Sequence, residues 1–379
     1  MGVAAGAVVA GLLVAAAVPV VRSSDVANAE LRVAADNPLP PETAPLPATV
    51  RPLWTLESTH DGSPVEGPTA VLTGADRVAG LDPATGRERW SYRRGNARLC
   101  DTTLRDGVVL ALFAKSHGCR DLIGLDAATG DRRWFRTVEF TTDAGLTSGP
   151  GVAVVTGADK MIAVDTGSGL NRWMWTEAGC RLDPATAGRA AVATVARCQG
   201  EDRLVVHDPY ADRAPWVGPQ PAGSEPRVVA ADEEVSVLGR IGGTPALTGF
   251  RPQEGQGNKQ EAVRTGSVRD ARLAYAAGGP LAAVTDSQVV VLWTGQRVVA
   301  VDVRSRQVRW TAAASGPPVL AEGQVLVVEG GGFTARPVLT GTPAARVPVT
   351  GGALPPGAAL SRVGRLVLTA TRDRLTAFG

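Results

Sequence analysis

Gly80-Leu81-Asp82-Pro83-Ala84-Thr85-Gly86-Arg87-Glu88-Arg89-Trp90 returns as Gly124-Leu125-Asp126-Ala127-Ala128-Thr129-Gly130-Asp131-Arg132-Arg133-Trp134. Looser copies follow. Asp165 leads through Ser168-Gly169 to Trp173, Asp208 leads to Trp216, and Asp302 leads through Ser305 to Trp310. The interval from Asp to Trp is eight in all five, and the Asp positions 82, 126, 165 and 208 step by 44, 39 and 43. A carboxylate at a strand end can accept turn N–H groups. The Gly four residues on supplies the positive φ that a tight hairpin needs. A Trp on the next strand brings a large apolar ring for packing against a neighbouring unit.

The same grammar extends upstream of each Asp. A turn is followed by an apolar strand, a second turn, and a strand ending at the Asp, as in 107–113 with 122–125 and 288–293 with 297–301. Three further stretches keep the grammar without the Asp or Trp: 234–250, 324–335 and 365–378. Residues 52–379 then divide into eight units of about 41 residues. That period, with short strands and frequent turns, predicts an all-β, eight-bladed β-propeller, with seven blades as the alternative. The chain stops at Phe378-Gly379, where another Asp turn would begin. Pro52-Leu53-Trp54-Thr55-Leu56 reads as an outer Trp strand with no strands before it. Trp54 and Phe378 are therefore expected to meet in a ring closure, which removes free edges.

The pattern Leu-Asp-x-x-Thr-Gly-x-x-x-Trp at 81–90 and 125–134 resembles the repeat of the pyrroloquinoline-quinone (PQQ) enzymes, and 52–379 looks like a propeller of that superfamily. The superfamily includes quinoprotein dehydrogenases and non-catalytic scaffolds such as the assembly lipoprotein of the outer-membrane β-barrel machinery, so fold alone does not give function. In the dehydrogenases the resemblance implies a cofactor beside a disulfide of adjacent cysteines, a Ca²⁺ held by Glu and Asn, and an Asp base. No adjacent Cys pair, second domain or haem-type Cys-x-x-Cys-His is present. No catalytic, cofactor or metal residue maps across. The expectation is a non-catalytic binding or scaffold protein, with no cofactor, presenting a propeller face to an envelope protein or polymer. The alternatives are a PQQ-dependent dehydrogenase-like quinoprotein, or a small-ligand or glycan receptor using the central channel.

Compartment is read from the ends of the argument. Gly2 to Val21 is uncharged and made almost only of Ala, Val, Leu and Gly, long enough to span a bilayer. Residues 1–22 are either a transmembrane anchor or a signal segment cleaved at Ala27-Asn28-Ala29, which would leave the protein secreted. Residues 23–51, with Asn37-Pro38-Leu39-Pro40-Pro41 and Pro45-Leu46-Pro47, read as a Pro-rich, extended linker. Cys100, Cys119, Cys180 and Cys198 fall in two close pairs. Of three possible connectivities, the near-equal spacing favours 100–119 with 180–198. Disulfides agree with an extracytoplasmic body held at the membrane by its N-terminal segment.

Composition excludes other classes. Net charge is +2 over 379 residues, which argues against nucleic acid as partner. Only Lys115, Lys160 and Lys259 are lysines among 39 basic residues; with the Ala and Val bias this points to a GC-rich bacterial genome. His60, His117 and His207 lie in different units, so a metal site has little support. Trp173 and Trp175 share a face and read as packing. The arginines at 87, 89, 93, 94 and 98, and at 132, 133 and 136, could form a stripe facing an anionic polymer, or solvated outer strands balanced by nearby acids. Gly330 to Ala335 spells a loose dinucleotide loop but lies between two strands, so it reads as a blade turn.

Overall fold

The computed structural model describes residues 28–35, 45–58, 65–66, 69–115, 117–254, 260–276, 281–286 and 288–379. The expected membrane segment, the residues 36–44 of the linker and His60 lie outside them. Among the described residues no helix is long and apolar enough to cross a membrane.

The architecture is all-β. The chain runs through successive antiparallel meanders. The first holds Val65–Glu66, Thr69–Thr73, Arg77–Leu81 and Glu88–Arg94. The second holds Arg98–Arg105, Val108–Lys115, Gly118–Asp126 and Arg132–Thr137, and the third Gly145–Gly149, Val152–Thr156, Lys160–Asp165 and Asn171–Thr176. Next come Thr186–Ala187 with Cys180–Leu182, Val192–Cys198, Asp202–His207 and Trp216–Pro219. Arg227–Ala231, Val235–Ile241, Thr244–Glu254 and Gln260–Arg269 follow. These last two meanders form one nine-stranded sheet, joined by a parallel contact of Val217 with Glu261. Two more meanders are Ala282–Asp286 to Gln307–Ala313 and Val319–Ala321 to Ala345–Pro348. The final sheet is Ala359–Val363, Leu366–Ala370 and Arg374–Phe378, completed by Pro52–Glu57 from the other end of the chain. The innermost strands touch one another in a closed circuit, with Ala359–Val363 returning to Val65–Glu66. This is the arrangement of a β-propeller.

The core is a series of interfaces. Middle strands are buried from end to end, as in Val152–Thr156 and Val289–Trp293. Strand periodicity of two sends alternate side chains to opposite neighbours. Val108, Leu110 and Leu112 join a cluster with Ala153 and Val155 of the next meander. Val109, Ala111 and Phe113 join one with Val71 and Val78 of the previous meander. Outer strands instead alternate exposed and half-buried positions, as Pro52–Glu57 does. Hence the middle strands read as continuous apolar runs, and no single meander can bury its own faces.

Part of the stretch expected as a linker is structured. Ala29–Arg32 pairs antiparallel with the outer strand of the first meander, from Ala29↔Arg94 to Arg32↔Ser91, as a fifth strand. Beyond the ladder, the Ala34 N–H donates to Thr129 O (2.8 Å) in the Asp126 turn of the next meander. Val50 then forms a parallel bridge to Val349. The cause is the free backbone edge of Glu88–Arg94, which any extended segment can satisfy without apolar alternation. Gly330 and Gly331, at φ 56 and 76, form the turn into Gly332–Pro337, so the Gly-x-Gly spelling is a hairpin.

Candidate functional site

The repeat residues are joined by one local geometry. The Asp82 carboxylate accepts the N–H groups of Ala84 (2.8 Å) and Thr85 (3.3 Å). Asp126 accepts those of Ala128 and Thr129, Asp208 those of Tyr210 and Ala211, and Asp302 those of Arg304 and Ser305. Asp165 accepts from the Ser168 N–H and hydroxyl. Gly86 and Gly130 return their N–H groups to the carbonyls of Asp82 and Asp126, each at 2.8 Å, with φ of 70 and 79.

The tryptophans connect one unit to the next. The indole N–H of Trp54 donates to Pro83 O (3.0 Å), Trp90 to Ala127 O (2.9 Å), Trp134 to Thr166 O (2.8 Å), Trp173 to Asp208 O (2.9 Å) and Trp310 to Val338 O (2.7 Å). Each acceptor lies in the Asp turn, or its equivalent, of the following unit. The ring also lies on that unit's glycine. A Cβ on Gly86 would stand 2.8 Å from the Trp54 ring, and one on Gly130 would stand 2.7 Å from the Trp90 ring. On its own sheet Trp90 covers Gly80, and Trp134 covers Gly124. Trp54 does this across the chain ends, while Phe378 is buried against Phe333 of the preceding meander at 5.7 Å. Trp216 departs from the pattern. Its indole nitrogen is buried without a partner.

Arginine supplies a part of the motif that the sequence reading missed. Arg133, Arg172 and Arg309, each directly before the Trp, pair with Asp126, Asp165 and Asp302 at 2.6, 2.6 and 2.5 Å. Burial alone would raise these three carboxyls. Hydrogen bonds from the turn N–H groups and the arginine outweigh it and hold each below its ordinary value. The fixed Asp-to-Arg spacing of seven was the available signal. The other arginines do not form a continuous stripe. Arg94 is buried and paired with Asp121 at 2.8 Å, Arg93 binds Asp76, and Arg136 donates to Gly169 O.

Among the described residues, His207 and His117 sit in separate surroundings. His207 is buried, stacked on Trp173 at 4.3 Å with Trp175 edge-on at 5.2 Å, and its Nε2 has no partner. Burial pushes its pKa down to about 4. His117 is exposed at a groove with Arg120, Glu139 and Lys160. The cysteines form two bridges, Cys100–Cys119 and Cys180–Cys198. Glu177 lies with Cys180 and Cys198 in a group of metal-ligating atoms. The two sulfurs are bonded to each other and offer no thiolate, so the group is not a metal centre in this state.

A cavity of about 700 Å³ opens at the mouth of the central channel. It is walled by the innermost strands, with Arg105, Ser148 and Thr186, and by the turns after them, with Arg189, Asp232 and Glu233. Arg304, from an Asp turn, reaches Glu233 at 2.5 Å. Asp232 accepts the Arg189 N–H (3.0 Å) and the Thr285 hydroxyl. These charged and polar groups are of both signs and share the wall with apolar ones, among them Val229, Val284, Val319 and Leu320. No repeat residue except the Asp302 turn reaches it.

Comparison with known proteins follows this geometry. The family model described as outer membrane protein assembly factor BamB matches residues 44–149 and 120–344. BamB from Moraxella catarrhalis superposes with a TM-score of 0.51 at 16% identity, covering 87% of this chain and 99% of that one. The computationally designed protein Ika8 superposes with a TM-score of 0.57 at 12% identity, covering 86% and 98%. No curated protein matches the sequence. The structural likenesses speak for the fold. The family match spans most of the chain and falls on the units whose Asp turns and tryptophans are described above, so the chain belongs to the BamB-like family of PQQ-type repeat proteins.

Proposed function

We propose that this chain is a non-catalytic, extracytoplasmic scaffold of the bacterial cell envelope, an eight-bladed propeller that presents the channel mouth to an envelope protein. The family description, assembly of outer membrane proteins, supports a binding role. The observation that carries the reading is the complete internal use of the repeat. All five Asp carboxylates are taken by their own turns, and five of the tryptophans are bonded into the next unit. The channel rim offers Arg105, Arg189, Asp232, Glu233 and Arg304, none of them an Asp, Gly or Trp of the repeat. Mixed charge at a rim gives orientation and specificity to a protein contact.

Eight blades are supported by the closed circuit of innermost strands, in which the nine-stranded sheet contributes two members. The proposed organisation is a membrane anchor or cleaved signal at 1–22, a connecting stretch at 23–51 whose inner part docks on the first blade, and the propeller at 52–379. The paired cysteines support a compartment where disulfides persist.

The test is a photo-reactive amino acid placed at Arg189, Glu233 or Arg304 in intact cells, with Met174 on the outer edge as the control. The expected result is one envelope protein captured from the rim positions, identified by mass spectrometry, and lost when Arg105 and Arg189 are both changed to Glu. Capture from position 174 alone, or none from the rim, contradicts the proposal.

A further inference from the structure

We propose that Cys180–Cys198 is a thiol–disulfide exchange site for a dithiol protein of the thioredoxin type, whereas Cys100–Cys119 is purely structural. The two bridges have different surroundings. Cys119 is fully buried inside an apolar cluster and Cys100 is half-buried at its edge, whereas neither cysteine of the second bridge is fully buried. Cys180 and Cys198 are both half-buried, and the residue before Cys180, Gly179, is exposed with open space where a side chain would stand. That gap is the approach the proposal assigns to an incoming extended chain.

The bridge can also open without unfolding its sheet. Cys180 and Cys198 face each other at the end of a ladder. Neither gives its N–H to the other strand's partner cysteine. The Cys180 N–H turns to Glu177 O (3.5 Å) and the Cys198 N–H to Glu201 O (3.1 Å). The strand after Cys180 is held independently, through the Asp183 N–H on Val195 O (2.9 Å) and the Arg197 pair with Asp183 at 2.6 Å.

The electrostatics are unequal at the two sulfurs. Arg203 Nη2 stands 3.0 Å from Cys198 Sγ and 3.4 Å from Cys180 Sγ, and 2.9 Å from Glu177 Oε1. Glu201 lies at 3.5 Å from the same guanidinium. Glu177 Oε1 is 3.9 Å from Cys180 Sγ. A guanidinium against a sulfur favours its thiolate, and a better leaving thiolate speeds exchange. A carboxylate disfavours a thiolate and can accept a thiol proton. The geometry therefore gives the reaction a direction. The incoming thiolate bonds to Cys180 Sγ, the Cys180–Cys198 bond breaks, and its electron pair leaves on Cys198 Sγ beside Arg203. The donor's second thiol loses its proton and attacks the donor sulfur of the mixed disulfide, releasing Cys180, which takes up a proton. One disulfide is reduced to two thiols while the donor's two thiols become one disulfide.

The full oxidised chain is equilibrated in graded reduced and oxidised dithiothreitol, trapped by alkylation, and read peptide by peptide by mass spectrometry. Cys180–Cys198 is expected to open at a reductant ratio about tenfold lower than Cys100–Cys119 needs. Arg203→Gln raises the ratio needed for Cys180–Cys198 by about tenfold, and Glu177→Gln lowers it, with Cys100–Cys119 unmoved in both. A thioredoxin lacking its resolving cysteine becomes trapped on Cys180. Joint reduction of both bridges, no shift in either variant, or an adduct on Cys198 overturns the proposal. If Arg203→Gln does not fold, Glu177→Gln and the site of the adduct decide.

Discussion

At the scale of single residues, the Gly–Trp contact is the tightest constraint in the repeat. Gly130 combines a φ of 79 with a ring against its Cα, so Gly130→Ala meets both backbone strain and overpacking. A loss of roughly 2–4 kcal/mol is expected in denaturant unfolding. His207 gives a pH signature. Its pKa is about 4 in the folded state and near its ordinary 6.5 once unfolded. Between those values the unfolded chain binds the extra proton, so stability is complete above pH 6.5 and falls as pH drops towards 4, by about 3 kcal/mol in all. His207→Phe keeps the stack on Trp173 and should flatten unfolding midpoints across that window. The Asp, Gly and Trp of the motif were legible in sequence because turn chemistry is local. The arginine before each Trp was not read, because its partner lies across a hairpin and a surface arginine is ordinarily solvated.

At the scale of elements, two joints hold neighbouring sheets together. Arg94, on the outer strand of the first meander, is paired at 2.8 Å with Asp121 in the second, and the side chains are 1% and 6% exposed. Arg94→Met leaves a buried carboxylate without its cation and is expected to cost about 3–5 kcal/mol. The second joint is the clasp, where Pro52–Glu57 pairs with Arg374–Phe378 and Trp54 reaches Pro83 O. Trp54→Ala is expected to cost about 3–5 kcal/mol and to raise hydrogen exchange in Arg374–Phe378 ahead of the other strands. The clasp could be anticipated because the first Trp strand and the last three strands each lack what the other has. The added strand Ala29–Arg32 could not. It has no apolar alternation, and its pairing is backbone to backbone with the outer edge of the first meander. The seam of Trp216–Pro219 with Gln260–Arg269 was equally silent, since the contact is one parallel pair between distant segments.

At the scale of the whole molecule, the apolar middle strands are used up between meanders, and charged groups from several meanders meet at the rim of the channel. The period in the sequence foretold the first, because each middle strand must serve two interfaces. The second is set by strands and turns of six different meanders, whose residues have no common spacing. A scaffold of this kind has its chemistry at the rim and none at the repeat, and that is the central claim. The most direct measurement titrates the folded chain with PQQ and Ca²⁺, following Trp fluorescence and thermal stability. The account predicts no saturable change in either signal. Saturable one-to-one binding at micromolar concentration or below would contradict it and make the channel a cofactor site.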